Sequence, residues 1–430
     1  MDPTEKGWLA KYLHLRFDTP ISFELGNDWT IQKQIYKYLQ PTGVIYGHPI
    51  ELPANIKIST HQWPLKERLQ VILFESLIAT YCIVKQIKTP TDEILEEAVS
   101  SINQFYDFLY PNLLPKKLFG KNEKSDFRSL EKKLNKRVTV KAEWNAQFWK
   151  GFFHNILLFV DVILFLEFLK SPKTATSESI QLQSKDIQVH IIGLLATVFK
   201  TNSLNASQNS KFYNFFIEST NLSKEDKEIA LNNDLYADNQ ELGDYLKNAD
   251  WLLQKYFFEL AVLSVWADLD VKASEILLLE ELAEKLSFDP MDMEESTFAV
   301  ESFVLLHWQQ VHYLQSKQSY LVLTRRMTDR MTKISQKYGS QIKAEISENK
   351  ELMRLLLESQ KRPLSLDEKE KVRTQLIEIL KSIPAFILLV MPMAFLTVPI
   401  LMKILPRNIF PSSFDPNRMV NRRGNQIEEG

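Results

Sequence analysis

The sequence predicts an all-α protein: a multi-helical cytoplasmic body with one C-terminal transmembrane helix. Three observations carry that prediction. Glycine is scarce, with 11 in 430 residues, against a usual share of about 7%. Parallel α/β folds and β-sandwiches need glycine at tight turns and phosphate loops, so its scarcity favours helices joined by short polar connections. Apolar residues recur at spacings of three and four over long stretches, which is the helical period. The run from Ser382 to Met402 contains no charged residue.

Composition narrows the class further. With 45% hydrophobic and 25% charged residues and a mean hydropathy of -0.20, the chain has an ordinary globular balance, unlike a polytopic membrane protein or a disordered chain. At about 150 residues per domain, two or three folding units are expected. Composition shifts place boundaries that give 1–140, 141–315, 316–362 and 363–430. A formal charge of -2, from 52 Lys+Arg against 54 Asp+Glu, gives no global attraction for nucleic acid. The single cysteine, Cys82, excludes an intrachain disulfide framework and a Cys-rich zinc site and fits a reducing compartment. The first residues show no basic stretch followed by an apolar one, so no signal peptide is expected and the bulk of the chain is placed on the cytoplasmic side.

Along the chain, Pro20, Pro41, Gly43, Gly47, Pro49 and Pro53 interrupt the first sixty residues, predicting loops with one short hairpin around Gly43 to Ile58. Leu69, Ile72, Leu73, Leu77, Tyr81 and Val84 predict a helix from Pro64 to Gln86 with one buried face. Thr89-Pro90-Thr91-Asp92 then offers a cap and an N1-type proline for a helix ending near Tyr110. The basic stretch Lys116 to Lys141 reads as a linker. Phe152 to Leu169 is apolar but holds His154, Asp161 and Glu167; a charge near the centre of a span costs about 2.5–3.5 kcal/mol, so a buried bundle helix is the better reading. Ser171 to Asp186 and Thr201 to Lys211 read as loops. Asp250 to Asp268 and Ser274 to Leu286 form a helix pair around an acidic bend, closed by Asp289-Pro290.

Between Met291 and Arg362 there is no proline and one glycine, Gly339, which permits very long helices. Met327, Met331, Ile334 and Tyr338 make a heptad-like, coiled-coil-like seam, and Arg326, Arg330, Lys333 and Lys337 repeat it one position earlier. That basic stripe is a candidate contact for anionic headgroups or a protein partner; a solvated helix face is the alternative. Pro363 stops the helix, and Ser365-Leu366-Asp367-Glu368 has the form of a capping box.

Ser382 to Met402 would reach ~31 Å as a helix, enough for the ~30 Å hydrocarbon core of a bilayer. Lys381 and Lys403 bracket it. Pro384, Pro392 and Pro399 lie on roughly one face and free carbonyls that need a partner in lipid; they are candidate kinks, with cation coordination as the sharper alternative.

Lys361-Arg362-Pro363-Leu364-Ser365, Lys371-Val372-Arg373-Thr374-Gln375-Leu376, Ile383-Pro384, Met391-Pro392, Val398-Pro399, Lys403-Ile404-Leu405-Pro406 and Phe410-Pro411-Ser412-Ser413-Phe414 together resemble the membrane core of the leucine-zipper and EF-hand-containing transmembrane family, the LETM-type proteins. The resemblance covers about Ser359 to Phe414. It implies one membrane span and a link to cation/proton exchange and ion homeostasis, and related bacterial chains, some labelled biofilm-associated, share only this core. Two departures matter. The family's glutamate three residues after the middle proline is Phe395 here, which weakens direct exchange. Too few residues follow the run for the family's ribosome-binding-like domain, so no ribosome contact is expected.

Leu260 to Val271 followed by Ser274 to Leu279 is similar to the helix, acidic loop and helix of TerB-like domains. That similarity makes Asp268, Asp270 and Glu275 candidate oxygen ligands for calcium or magnesium; helix-terminal carboxylates are the bland alternative. Glu75 to Ala98 resembles a faint second copy, with Gln86 and Lys88 in the acidic positions. No zinc-protease, nucleophile-elbow, Walker or dinucleotide motif is present, and His307 and His312 share no ligand spacing. The expectation is therefore a non-enzymatic, membrane-anchored helical protein acting through the bilayer and through protein partners or its own copies. A cation/proton transport component and a divalent-cation-responsive scaffold stand as alternatives.

Overall fold

The computed structural model describes residues 2–17, 29–53, 56, 58, 60, 62–112, 124–138, 155–201, 216–218, 220, 222–232, 234, 241–266, 273–307, 317–382, 398–405 and 410. Among these the regular elements are all helical, as the scarcity of glycine predicts. The chain divides into two compact units: residues 1–264 with 272–288, and residues 265–271 with 289–430. The compositional boundary at 140 falls inside the first unit and that at 362 inside the second.

The first unit is built around α3 (Leu65–Val84). The apolar period predicts one buried face, but every residue from Leu69 to Ile83 is buried. The reason is that α3 is surrounded, by α2 (Ile31–Leu39), α4 (Asp92–Leu109), α5 (Lys124–Arg137) and α6 (Leu158–Lys170). Its hydroxyls are satisfied inside the helix: Ser76 Oγ donates to the Ile72 carbonyl at 2.7 Å and Thr80 Oγ1 to the Ser76 carbonyl at 2.8 Å. Glu75, also buried, must find its partners on other elements. One is α1 (Trp8–Phe17), which packs on α5.

Several sequence expectations are corrected here. The predicted hairpin near Gly43 is instead two 3-10 turns, Gln40–Thr42 and Val44–Tyr46, and no described residue of Gly43 to Ile58 is in a strand. Gly43 and Gly47 both close these turns with positive φ, +79° and +63°. A Cβ on Gly47 would stand 2.4 Å from the backbone of Asn155 and Ile156, so glycine is required there for space as well as conformation. Pro90 precedes the cap of α4 rather than occupying its first turn; the N-cap is Thr91. The supposed linker contains α5, because Leu130, Leu134 and Val138 recur every four residues and are buried. Charged residues between them hid this period. Ser177 to Asp186, read as loop, is the beginning of α7 (Ser177–Thr201), where Thr176 Oγ1 accepts from the Ser179 amide at 3.1 Å. Thr201 to Lys211 lies outside the described residues beyond Thr201. The apolar block at α6 is a buried bundle helix, as its charges imply.

The first unit continues through α8 (Lys224–Leu231), α9 (Glu241–Asn248), α10 (Trp251–Trp266) and α11 (Ala273–Lys285). Short α8 is capped by Ser223, whose Oγ accepts from the Asp226 amide at 3.1 Å.

In the second unit, α12 (Pro290–His307) is buried at every position from Glu295 to Leu305. Asp289-Pro290 opens this helix rather than closing α11, with Asp289 Oδ1 accepting from the Asp292 amide at 2.7 Å. The permitted long helix is divided into α13 (Lys317–Lys337), α14 (Gly339–Glu348) and α15 (Lys350–Lys361). Tyr338 interrupts the first junction. Asn349 caps the second through a 3.0 Å bond from the Leu352 amide. The capping box opens α16 (Leu366–Ser382): Ser365 Oγ accepts from the Glu368 amide at 3.2 Å and Glu368 Oε2 from the Ser365 amide at 2.8 Å. Bonds from Arg362 and from that amide hold the Glu368 carboxyl down at about 2.

The last described helix, α17 (Val398–Ile404), packs against α13 and α16. Of the expected span, about 382–402, only Ser382 and residues 398–402 are described. No helix among the described residues is long and apolar enough to cross a membrane, and residues 383–397, with Pro384 and Pro392, lie outside them.

Replacing Gly47 by Ala should cost more than about 2 kcal/mol in urea unfolding, because positive φ and a backbone clash coincide. Gly243→Ala, in open space within α9, should instead be neutral or stabilising by up to about 1 kcal/mol.

Candidate functional site

Charged groups out of water mark the places where the sequence accepts a cost, and they separate into two kinds. In the first unit, three buried carboxylates each gather two tyrosine hydroxyls. Glu75 accepts from Tyr12 at 3.0 Å and Tyr38 at 3.2 Å, and pairs with Arg16 at 3.0 Å. Asp161 accepts from Tyr106 at 3.2 Å and Tyr110 at 3.4 Å, with Arg137 bound two-pronged at 2.7 and 3.0 Å. Glu259 accepts from Tyr46 at 2.8 Å and from Tyr36. Beside it, buried Lys255 lies over the rings of Tyr36, Trp251 and Phe288 at 5.2, 5.5 and 5.6 Å. Burial, then the neighbouring carboxylates, pushes the Tyr12, Tyr38 and Tyr106 hydroxyls well above their ordinary range, so they stay protonated donors. These clusters join α1, α2, α3, α4, α5, α6 and α10; they hold the bundle in register. Sequence patterns named Asp161 as a buried charge but missed Arg137, which sits in the misread linker.

A cleft of about 670 Å3 opens beside one cluster, lined by Tyr110, Pro111, Glu178, Leu182, Lys185 and Leu222 among others. Its charges are partly spent internally, since Lys185 pairs with Asp226 at 2.7 Å. Cys82 is buried, and burial raises its thiol to about 12, which makes it a packing residue rather than a nucleophile.

The acidic bend is only partly visible. Asp268 and Asp270 lie outside the described residues, while Glu275 is buried, 1% exposed, in the first turn of α11. Among the described residues no group of three His, Cys, Asp or Glu side chains could hold a metal. His154 and His312 lie outside the description. Lys381 falls within α16, Pro399 in the first turn of α17, and Lys403 is exposed.

The second kind of site lies in the second unit, where the basic stripe divides. Met327 and Met331 are fully buried, as the seam predicts. Arg326 and Arg330, however, converge on Glu301 of α12. Arg330 Nη1 lies 2.7 Å from Glu301 Oε2 and Arg326 Nε 3.9 Å from Oε1. Glu301 is 0% exposed while the arginines retain 22% and 35%. Lys333 and Lys337 are exposed, Lys337 lying 5.7 Å from the Tyr338 ring centroid. Exposed Arg325, outside the predicted stripe, joins them across Asp329. The arrangement is a buried carboxylate holding two half-exposed guanidiniums beside a basic ridge. The sequence signal for it was available in Glu301, an acid inside an apolar helix. No protein-family model, no curated protein and no solved structure matches the chain.

Asp161→Asn, which leaves Arg137 buried without its counter-charge, should cost about 3–5 kcal/mol in urea unfolding, whereas the paired Arg137→Met with Asp161→Leu should cost much less. Burial raises the Glu301 carboxyl above its ordinary value despite both arginines. Its contribution to stability is therefore present below the unfolded value of 4.5 and lost as pH rises through the raised folded value. Urea titrations from pH 4.5 upward should show the native protein losing stability relative to Glu301→Gln; a constant difference would contradict this.

Proposed function

We propose that this chain is a non-enzymatic, membrane-anchored helical scaffold, with the uncharged segment 383–397 inserted in a bilayer and the remainder presented to partners on the cytoplasmic side. The observation that carries the reading is that fifteen consecutive uncharged, mainly apolar residues are framed by two helices of one packed unit, α16 and α17. A charge-free run of that kind has no better solvent than lipid or a partner's apolar surface. The LETM-type resemblance over Ser359 to Phe414 points the same way. The packing of α16 against α17 supports a re-entrant insertion, with both flanks on one side. A crossing span, the reading from length alone, requires α17 to leave α13 and α16.

Buried clusters in the first unit serve the scaffold rather than chemistry: each hydroxyl and guanidinium there already bonds a carboxylate. Carbonate extraction should leave the protein in the membrane fraction, and Leu389→Arg with Val390→Arg should release it, at about 2.5–3.5 kcal/mol per charge. Cysteines placed singly at Thr374 and Lys403, both exposed, should react with an impermeant maleimide from the same side; reaction from opposite sides would establish a crossing span.

A further inference from the structure

We infer that the cleft between the end of α4, the first turns of α7 and the start of α8 is a binding site for a small organic cation, an ammonium carried on an apolar body, with Glu178 as its charge partner. The site stands apart from the membrane reading above. At about 670 Å3, and wholly within the first unit, the cleft has the size of a pocket for a small molecule. Its walls are fixed before any ligand arrives. Ser177 Oγ and Gln181 Nε2 of α7 both donate to the Phe108 carbonyl in the last turn of α4, at 2.6 and 2.9 Å. Tyr110, which caps α4, donates to Asp161 at 3.4 Å, and Lys185 of α7 is tied to Asp226 of α8 at 2.7 Å. A wall already held in place loses little freedom on binding.

Charge selects the class of ligand. Lys185 and Asp226 satisfy each other, and that bond is the first cause holding the Asp226 carboxyl below its ordinary range; an anionic ligand would have to take Lys185 from it. Glu178, exposed in the first turn of α7, has no partner among the described residues. The carbonyl end of α4 adds negative potential at the same cleft, so both features favour a cation. A carboxylate in a first turn is by itself ordinary, because the helix dipole welcomes it there. What calls for a ligand is Leu182, one turn further along the same face, which lines the cleft and is 63% exposed. Half-buried Leu222 and exposed Pro111 line it too. Four residues of helix rise by roughly 6 Å, so an ammonium at Glu178 and a hydrocarbon body on Leu182 fit one small molecule. A bare metal ion would leave Leu182 wet, and a neutral apolar ligand would leave Glu178 to water.

The test compares three probes that share one ring and differ only in the charge of the other end: phenethylamine, phenethyl alcohol and phenylacetate. Each is titrated against the full chain at neutral pH by saturation-transfer NMR. The amine should bind roughly three- to fivefold more tightly than the alcohol, the worth of one partly exposed charge pair, and phenylacetate should bind least. Glu178→Gln should remove the amine's advantage while leaving the alcohol where it was. Leu182→Asn should weaken the amine and the alcohol together. Both positions are exposed, so each variant should keep the helical content of the native chain, checked by circular dichroism. Equal affinity for amine and alcohol, an amine preference that survives Glu178→Gln, or binding untouched by Leu182→Asn each overturns the assignment. Tightest binding by phenylacetate would mean that the Lys185–Asp226 pair opens to an anion, which overturns the cation reading, and absence of saturation transfer to all three probes overturns the site.

Discussion

A carboxylate removed from water must be matched by donors close enough to replace its hydration, and the first unit is organised by that constraint. Glu75 on α3, Asp161 on α6 and Glu259 on α10 each draw side chains from at least one other element. An apolar core tolerates sliding by a residue or rotation of a helix with modest loss, because dispersion contacts are non-directional. A carboxylate that requires two phenols at hydrogen-bonding distance does not. Stability gained from such pairs is small or negative against apolar replacements; their effect is to make one arrangement of the bundle far better than its neighbours.

That constraint explains which parts of the fold were legible in the sequence. Helices read from apolar period, α10 and α11, appear close to their expected bounds, because their inward positions are apolar. The failures share a cause. On α5, inward positions include Lys133 and Arg137, paired with Asp107 at 2.8 Å and Asp161 at 2.7 Å, so a period-counting reader sees a charged linker. On α3, Glu75, Ser76 and Thr80 look like an outer face until their partners are known. The 3-10 turns at Gly43 and Gly47 resembled a hairpin because positive-φ glycines serve both; only the backbone of Asn155 and Ile156, over a hundred residues away, distinguishes them.

The basic stripe of α13 shows the same limit at a functional surface. Spacing identifies which residues share a face, and Met327 and Met331 were placed correctly by it. It cannot say whether an adjacent arginine is directed to solvent or to a carboxylate on another helix. Glu301 settles that for Arg326 and Arg330, and the consequence differs from the first unit. There, Asp161 is enclosed by one guanidinium and two phenols; here one acid meets two guanidiniums that remain partly wet. Enclosure makes a structural strut, while partial exposure keeps the guanidiniums part of the surface.

Hydrophobic length is a statement about solvent preference, and packing is a statement about path; the segment around Ser382 to Met402 separates the two. Twenty-one uncharged residues have the length of a membrane span. Yet Leu401 and Ile404 are fully buried within a unit where α17 lies against α13 and α16. Drawing those residues across a bilayer would expose the apolar surface they cover on both helices. A route that keeps α17 docked retains that burial.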